Sequence, residues 1–125
     1  MKEGTPAIGI DIIEIQRIQQ AVNRWQGAFL NRIYSKAELE YCGSRHSSLA
    51  ARFAAKEAVV KTLGARVGGL NYQEIEVLTG ENGEPYVKLS GNTLKQAGEL
   101  GLTGVSISMS HCKEYAVALS VGHAN

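Results

Sequence analysis

Apolar residues change their period several times along this chain, and each change marks an element. Ile8, Ile10, Ile12 and Ile13 crowd the start, and their β-branched side chains predict a buried strand over residues 6–14, interrupted by Asp11. Ile15, Ile18, Val22 and Trp25 then recur at helical spacing with Gln16, Arg17, Gln19, Gln20 and Arg24 between them. That pattern predicts an amphipathic helix with a basic, amide-rich outer face, ended by Gly27. Ser35-Lys36-Ala37-Glu38 has the form of a capping box, so a short helix is expected from there to about Cys42, broken by Gly43.

A long central helix follows, capped by Ser47 or Ser48 and running through an alanine-rich stretch to Gly64; Gly64, Gly68 and Gly69 then mark a loop. Residues 72–79 alternate as a strand does, and Asn82-Gly83 turns the chain into a second strand from Pro85 to Leu89, making a hairpin. A short helix is expected over residues 93–100. Val105, Ile107 and Met109 alternate with Ser106, Ser108 and Ser110 in a strand ending at His111, residues 115–121 return as the last strand, and residues 122–125 read as a frayed tail. The order implies an α+β domain: an antiparallel-rich sheet packed on a long central helix.

Length and charge narrow the functions. A chain of 125 residues fits one domain, which we expect to span residues 1–125. Thirteen Lys and Arg against twelve Asp and Glu leave a net charge of +1, so no broad field draws nucleic acid or a membrane surface, and any bound anion must be captured locally. The first residues lack the apolar region of a signal peptide, and no apolar run approaches the roughly 20 residues needed to span a bilayer. A cytoplasmic protein is expected. Cys42 and Cys112 lack the C-x-x-C spacing of zinc or redox sites and are read as reduced thiols.

Several polar residues are out of place in this pattern. Glu57 sits among alanines, valines and Phe53 in the central helix, and on residues 49–64 it shares a small apolar face with Lys61, one turn on. Burying a lone carboxylate costs several kcal/mol, so a lysine, a metal or a polar cleft should accompany it. Asp11, between isoleucines, either caps the following helix or joins Glu57 in holding a hard cation such as magnesium. Lys61 is either an ordinary i,i+4 partner of Glu57 or a phosphate ligand. His111, at a strand end before the connection Cys112-Lys113-Glu114, is placed to bond a phosphate or take a hydroxyl proton. His46 and His123 fall in expected loop and tail and are read as solvated, although His46 and Arg45 together could touch an anionic ligand.

Three segments carry a family resemblance: Gly9-Ile10-Asp11-Ile12-Ile13-Glu14-Ile15 with Arg17, Arg52-Phe53-Ala54-Ala55-Lys56-Glu57-Ala58 with Lys61, and Ser110-His111-Cys112-Lys113-Glu114-Tyr115-Ala116. Asn82-Gly83-Glu84-Pro85-Tyr86 adds a shorter N-G-x-P match. In order and spacing the chain resembles the bacterial holo-acyl-carrier-protein synthases, the small class of phosphopantetheinyl transferases. The resemblance implies transfer of 4′-phosphopantetheine from coenzyme A to a serine of apo acyl carrier protein, leaving adenosine 3′,5′-bisphosphate. It implies Asp11 and Glu57 as magnesium ligands, and Lys61 and His111 beside them as catalytic and coenzyme-A-binding groups. Arg45, Arg52, Gly64 and Pro85 fall at further coenzyme A positions, and Arg17, Phe29 and Arg32 at the carrier-protein surface. It also implies a homotrimer with active sites between subunits. One departure stands out: Gly64-Ala65-Arg66 replaces the family's usual G-T-G, and it is the sequence support for a rival, a non-catalytic coenzyme A or nucleotide-binding module.

Overall fold

The computed structural model describes residues 7–65 and 69–124. In chain order these are β1 (Ala7–Glu14), α1 (Ile15–Trp25), α2 (Gly27–Ile33), α3 (Lys36–Cys42), α4 (His46–Thr62), a 3-10 turn (Tyr72–Glu74), β2 (Ile75–Thr79), β3 (Pro85–Leu89), α5 (Gly91–Glu99), β4 (Gly104–His111) and β5 (Tyr115–His123). β1, β5 and β4 form an antiparallel sheet with β5 in the middle, and β2 and β3 pair as a separate hairpin. The α+β class expected from the sequence is the architecture observed.

α4 is the centre of the molecule because its residues are small. Ala50, Ala54, Ala55, Ala58, Val59 and Val60 are all fully buried, and β5 faces them with Ala116, Ala118 and Ser120. Short side chains on both surfaces bring helix and sheet unusually close. Closest of all is Gly9 on β1, where a Cβ would run into the Ala58 carbonyl oxygen and come within 2.8 Å of Thr62 Oγ1. The Thr62 hydroxyl meets Ser120 Oγ at 2.9 Å, so this dry seam keeps its polar atoms paired.

Several boundaries differ from the sequence expectation. β1 is not buried on both sides: Ile8, Ile10 and Ile12 are 54%, 59% and 63% exposed, while Ala7, Gly9, Asp11 and Ile13 face the interior. A β-branched run favours a strand without saying how many of its faces are covered. Trp25, expected on the apolar face of α1, is also exposed. Gly27 does not end the helical region but starts α2; the break is at Gln26, whose left-handed φ of 48° redirects the chain for one residue. The capping box forms as expected, with Glu38 N donating to Ser35 Oγ (3.3 Å) and Ser35 N to Glu38 Oε1 (2.8 Å). α4, by contrast, has Arg45 at its N-cap with no side-chain cap bond, and Ser47 and Ser48 lie inside its first turn along with His46.

Residues 72–74 form a 3-10 turn and not a strand, because Asn71 Oδ1 accepts Gln73 N at 3.0 Å and offers the backbone a turn instead of a ladder. α5 starts at Gly91, two residues early, since the Glu74 carboxylate accepts from Asn92 N and Thr93 N at 3.2 Å each and satisfies the helix start from outside. The expected tail is strand: Gly122 pairs with Ala7, His123 with Gly104, and the His123 ring meets Ser106 Oγ at 2.6 Å. Arg66 lies outside the described residues.

Candidate active site

A helix buried on nearly all sides should be apolar, yet α4 carries Arg52, Lys56 and Glu57 at 5%, 0% and 4% exposure. Each therefore needs a partner from another element. Lys56 Nζ bonds Glu38 Oε1 at 2.7 Å and the Tyr72 carbonyl at 2.8 Å, while Glu38 Oε2 accepts Val77 N at 2.9 Å. This buried pair stitches α4 to α3, to the 3-10 turn and to β2. The sequence showed Glu38 as a capping glutamate and Lys56 in the same apolar run as Glu57, but not their pairing.

Glu57 takes the other end of the same turn. The Tyr72 hydroxyl donates to Glu57 Oε1 at 2.6 Å, and Glu57 Oε2 is buried with no hydrogen bond among the described residues. Burial pushes the carboxyl above its ordinary pKa, the Tyr72 bond pulls it back, and nearby Asp11 raises it again against a smaller opposing pull from Lys61. Of the two readings of Lys61, the i,i+4 ion pair with Glu57 does not form. Lys61 instead crosses to β1, donating to the Ile10 carbonyl at 2.8 Å and to Asp11 Oδ1 at 3.2 Å. A lysine on a helix packed against an edge strand reaches a backbone carbonyl and a partly exposed carboxylate there more cheaply than a fully buried one.

Asp11 and Glu57 line one cleft of about 350 Å³ with Arg17, Phe29 and Phe53. Two carboxylates, one of them with an orphaned buried oxygen, are a hard-oxygen donor set of the kind magnesium takes when phosphates and waters complete its shell. Arg32 lies outside this cleft, in a neighbouring groove with Trp25 and Phe29.

A second cleft of about 400 Å³ lies on the other flank of α4 and gathers Arg45, Arg52, Pro85 and His111 around Tyr41. The Arg52 guanidinium stacks 4.4 Å above the Tyr41 ring and donates to Thr79 Oγ1 at 2.9 Å, leaving its Nε buried without a hydrogen bond among the described residues. Arg45 covers the same ring at 5.0 Å while bonding the Cys42 and Tyr41 carbonyls at the end of α3. Tyr41 thus holds both cations in place, a role the sequence did not suggest. Gly64 joins neither cleft; it turns the chain after α4 with φ 69°. Cys42 and Cys112 are both free thiols, Cys42 buried and Cys112 exposed beside His111.

The clefts are set apart by the sheet itself. Asp11 on β1 is opposite Ala118 on β5, which is opposite Met109 on β4, two residues before His111. Asp11 and His111 therefore occupy opposite edge strands, about 10 Å apart in strand spacings, with α4 packed over the sheet and β5 between them.

Comparison with known proteins shows the family and agrees with the fold. Residues 7–120 match the model of the 4′-phosphopantetheinyl transferase superfamily. A holo-[acyl-carrier-protein] synthase of Dehalococcoides mccartyi is 52% identical over 113 residues, covering 90% of this chain and 94% of the relative. Among solved structures, the Helicobacter pylori holo-[acyl-carrier-protein] synthase in complex with coenzyme A superposes with a TM-score of 0.83 at 32% identity, covering 93% of this chain and 99% of the other. The Bacillus anthracis enzyme, in complex with coenzyme A (3′,5′-ADP), gives a TM-score of 0.76 at 34% identity, covering 95% and 96%.

Proposed function

We propose how transfer proceeds in this chain, which belongs to the 4′-phosphopantetheinyl transferase superfamily and is an enzyme of the holo-[acyl-carrier-protein] synthase type. It moves 4′-phosphopantetheine from coenzyme A to a serine of apo acyl carrier protein. The rival reading, a non-catalytic binding module, is set aside with that membership. The observation that carries the site assignment is Glu57: a buried carboxylate with one oxygen unpartnered among the described residues, on the wall it shares with Asp11.

In our reading Asp11 and Glu57 hold magnesium, which when bound draws negative charge from the pyrophosphate of coenzyme A. The serine oxygen forms a bond to the phosphorus that carries pantetheine. The bond from that phosphorus to the bridging oxygen breaks, adenosine 3′,5′-bisphosphate leaves with the electron pair, and the serine proton passes to solvent. Lys61 supports the charge that builds on the departing phosphate, since its ammonium is half-exposed and tethered to Asp11 by a single ion pair. His111, Arg52 and Arg45 position the nucleotide end, with Pro85 shaping the wall of their cleft.

Arg17 and Phe29, on the cleft beside Asp11, and Arg32 in the adjoining groove receive the acidic carrier protein; opposite charges make that encounter salt-sensitive. We also propose a homotrimer. The outer face of the three-stranded sheet presents Ile8, Ile10, Ile12 and Leu119 to solvent, an apolar surface that asks for a partner. Assembly would bring the Asp11 cleft of one subunit to the His111 cleft of the next. No described helix is long and apolar enough to cross a membrane, and we place the enzyme, as one domain over residues 1–125, in the cytoplasm with its substrates.

Intact-protein mass spectrometry tests the reaction. An apo carrier protein incubated with this enzyme, coenzyme A and magnesium should gain the mass of one phosphopantetheine. No gain, with a reference transferase working on the same carrier, would overturn it.

A further inference from the structure

Tyr72 is the only described residue bonded to two of the three buried charges of α4 through separate atoms: its carbonyl accepts Lys56 Nζ at 2.8 Å and its hydroxyl donates to Glu57 Oε1 at 2.6 Å. We infer that Tyr72 is a positioning residue for Glu57, holding Oε1 so that Oε2 remains the carboxylate's free donor on the wall of the Asp11 cleft. This rests on the magnesium reading above and deepens it.

Three features make Tyr72 a rigid anchor. The 3-10 turn fixes its backbone, with Gln73 N tied to Asn71 Oδ1. Lys56, itself locked to Glu38, pins its carbonyl. The residue is 7% exposed, and its ring centroid lies 6.2 Å from that of Phe53, one helical turn before Glu57. A carboxylate free to rotate on its side-chain torsions would offer either oxygen, both, or neither to a cation. A fixed O–H donor on one oxygen selects the other, as outer-shell partners of metal ligands do in general.

A tyrosine that merely satisfied the core would affect stability alone, so the deciding readout is metal affinity. Tyr72→Phe removes only the hydroxyl and keeps the ring and the carbonyl bond. Mn2+ is titrated by electron paramagnetic resonance into wild type, Tyr72→Phe and Glu57→Gln, each with coenzyme A present and at a temperature well below every melting midpoint. The inference expects Tyr72→Phe to weaken Mn2+ binding by about 10-fold or more. It also expects transfer by this variant to recover as magnesium is raised. Unchanged Mn2+ affinity in Tyr72→Phe, with binding lost in Glu57→Gln, overturns the positioning role and leaves the metal site standing. Unchanged affinity in Glu57→Gln overturns the metal site itself, and the role of Tyr72 toward it falls with it.

Discussion

Lys61 is paired across the helix–strand seam with Asp11, at 3.2 Å, and not with Glu57 one turn before it on the same helix. The lysine side chain is 46% exposed, so this ion pair is screened and adds little to stability. Its value lies in where it leaves the ammonium. Lys61→Met should therefore shift the melting temperature only slightly while lowering kcat/KM for transfer by about 100-fold, the usual cost of losing one charge-stabilising donor. Steady-state kinetics beside a thermal melt separates the two effects; a variant that melts early but transfers normally would contradict the assignment.

Glu57 is the opposite case. Burial raises its pKa, so the folded state holds the proton more tightly than the unfolded chain does, and the ionised carboxylate works against folding at neutral pH. Glu57→Gln keeps an oxygen for the Tyr72 hydroxyl and removes the charge. In metal-free buffer its melting temperature should rise above wild type, while transfer falls by at least about 100-fold. A melt and a mass-spectrometric rate on the same preparation check both halves, and loss of stability together with activity would point to a purely structural glutamate.

Lys56 and Glu38 test a different claim, that a fully buried ion pair joins α4 to its neighbours. Truncating one partner strands the other charge, so Lys56→Met should cost about 3–5 kcal/mol in denaturant unfolding. Lys56→Met combined with Glu38→Gln should be milder than the two changes summed, because neither charge is then left alone. Additive losses would show that the pair acts separately.

Much of this was legible in the sequence for a physical reason. Glu57 and Asp11 stood out because each breaks an apolar run, and a charge among alanines or isoleucines is expensive wherever the fold places it. The capping box, the hairpin after Asn82-Gly83 and the alternation of β4 are local patterns, and each appeared where expected. What stayed hidden depends on distant partners. Tyr72 read as a strand residue because Asn71's side-chain bond to the backbone leaves no periodic signal. Tyr41 became a clamp for Arg45 and Arg52 only when α3 and α4 met at their ends. The bare face of β1 was invisible because Ile8, Ile10 and Ile12 look alike whether solvent, helix or a second subunit covers them.

Gly9 links the packing to the site. A Cβ at this position would strike the Ala58 carbonyl and crowd Thr62, both on the backbone-close side of α4, so β1 would have to move outward. Gly9→Ala should cost about 1–3 kcal/mol as an overpacked contact. Because Asp11 lies two residues along the same strand, transfer should fall as well. Urea unfolding and transfer assays on soluble protein measure the two, and a neutral variant would mean the helix–sheet spacing has slack.

The two clefts make the last prediction, since each chain carries the Asp11 group on one edge of its sheet and the His111 group on the other. If one active site draws on two subunits, Asp11→Asn and His111→Ala can each be inactive and yet complement each other. Mixed subunits at equal ratio should restore about one intact interface in four, on the assumption that the subunits exchange randomly in a cyclic assembly. Ile10→Lys supplies the control. Ile10 is 59% exposed and sits opposite Leu119 on the outer face, so the charge should leave the monomer folded but break the assembly in analytical ultracentrifugation. Complementation that survives Ile10→Lys would move the interface off this face, and no complementation between folded and exchanging subunits would place the whole reaction within one chain.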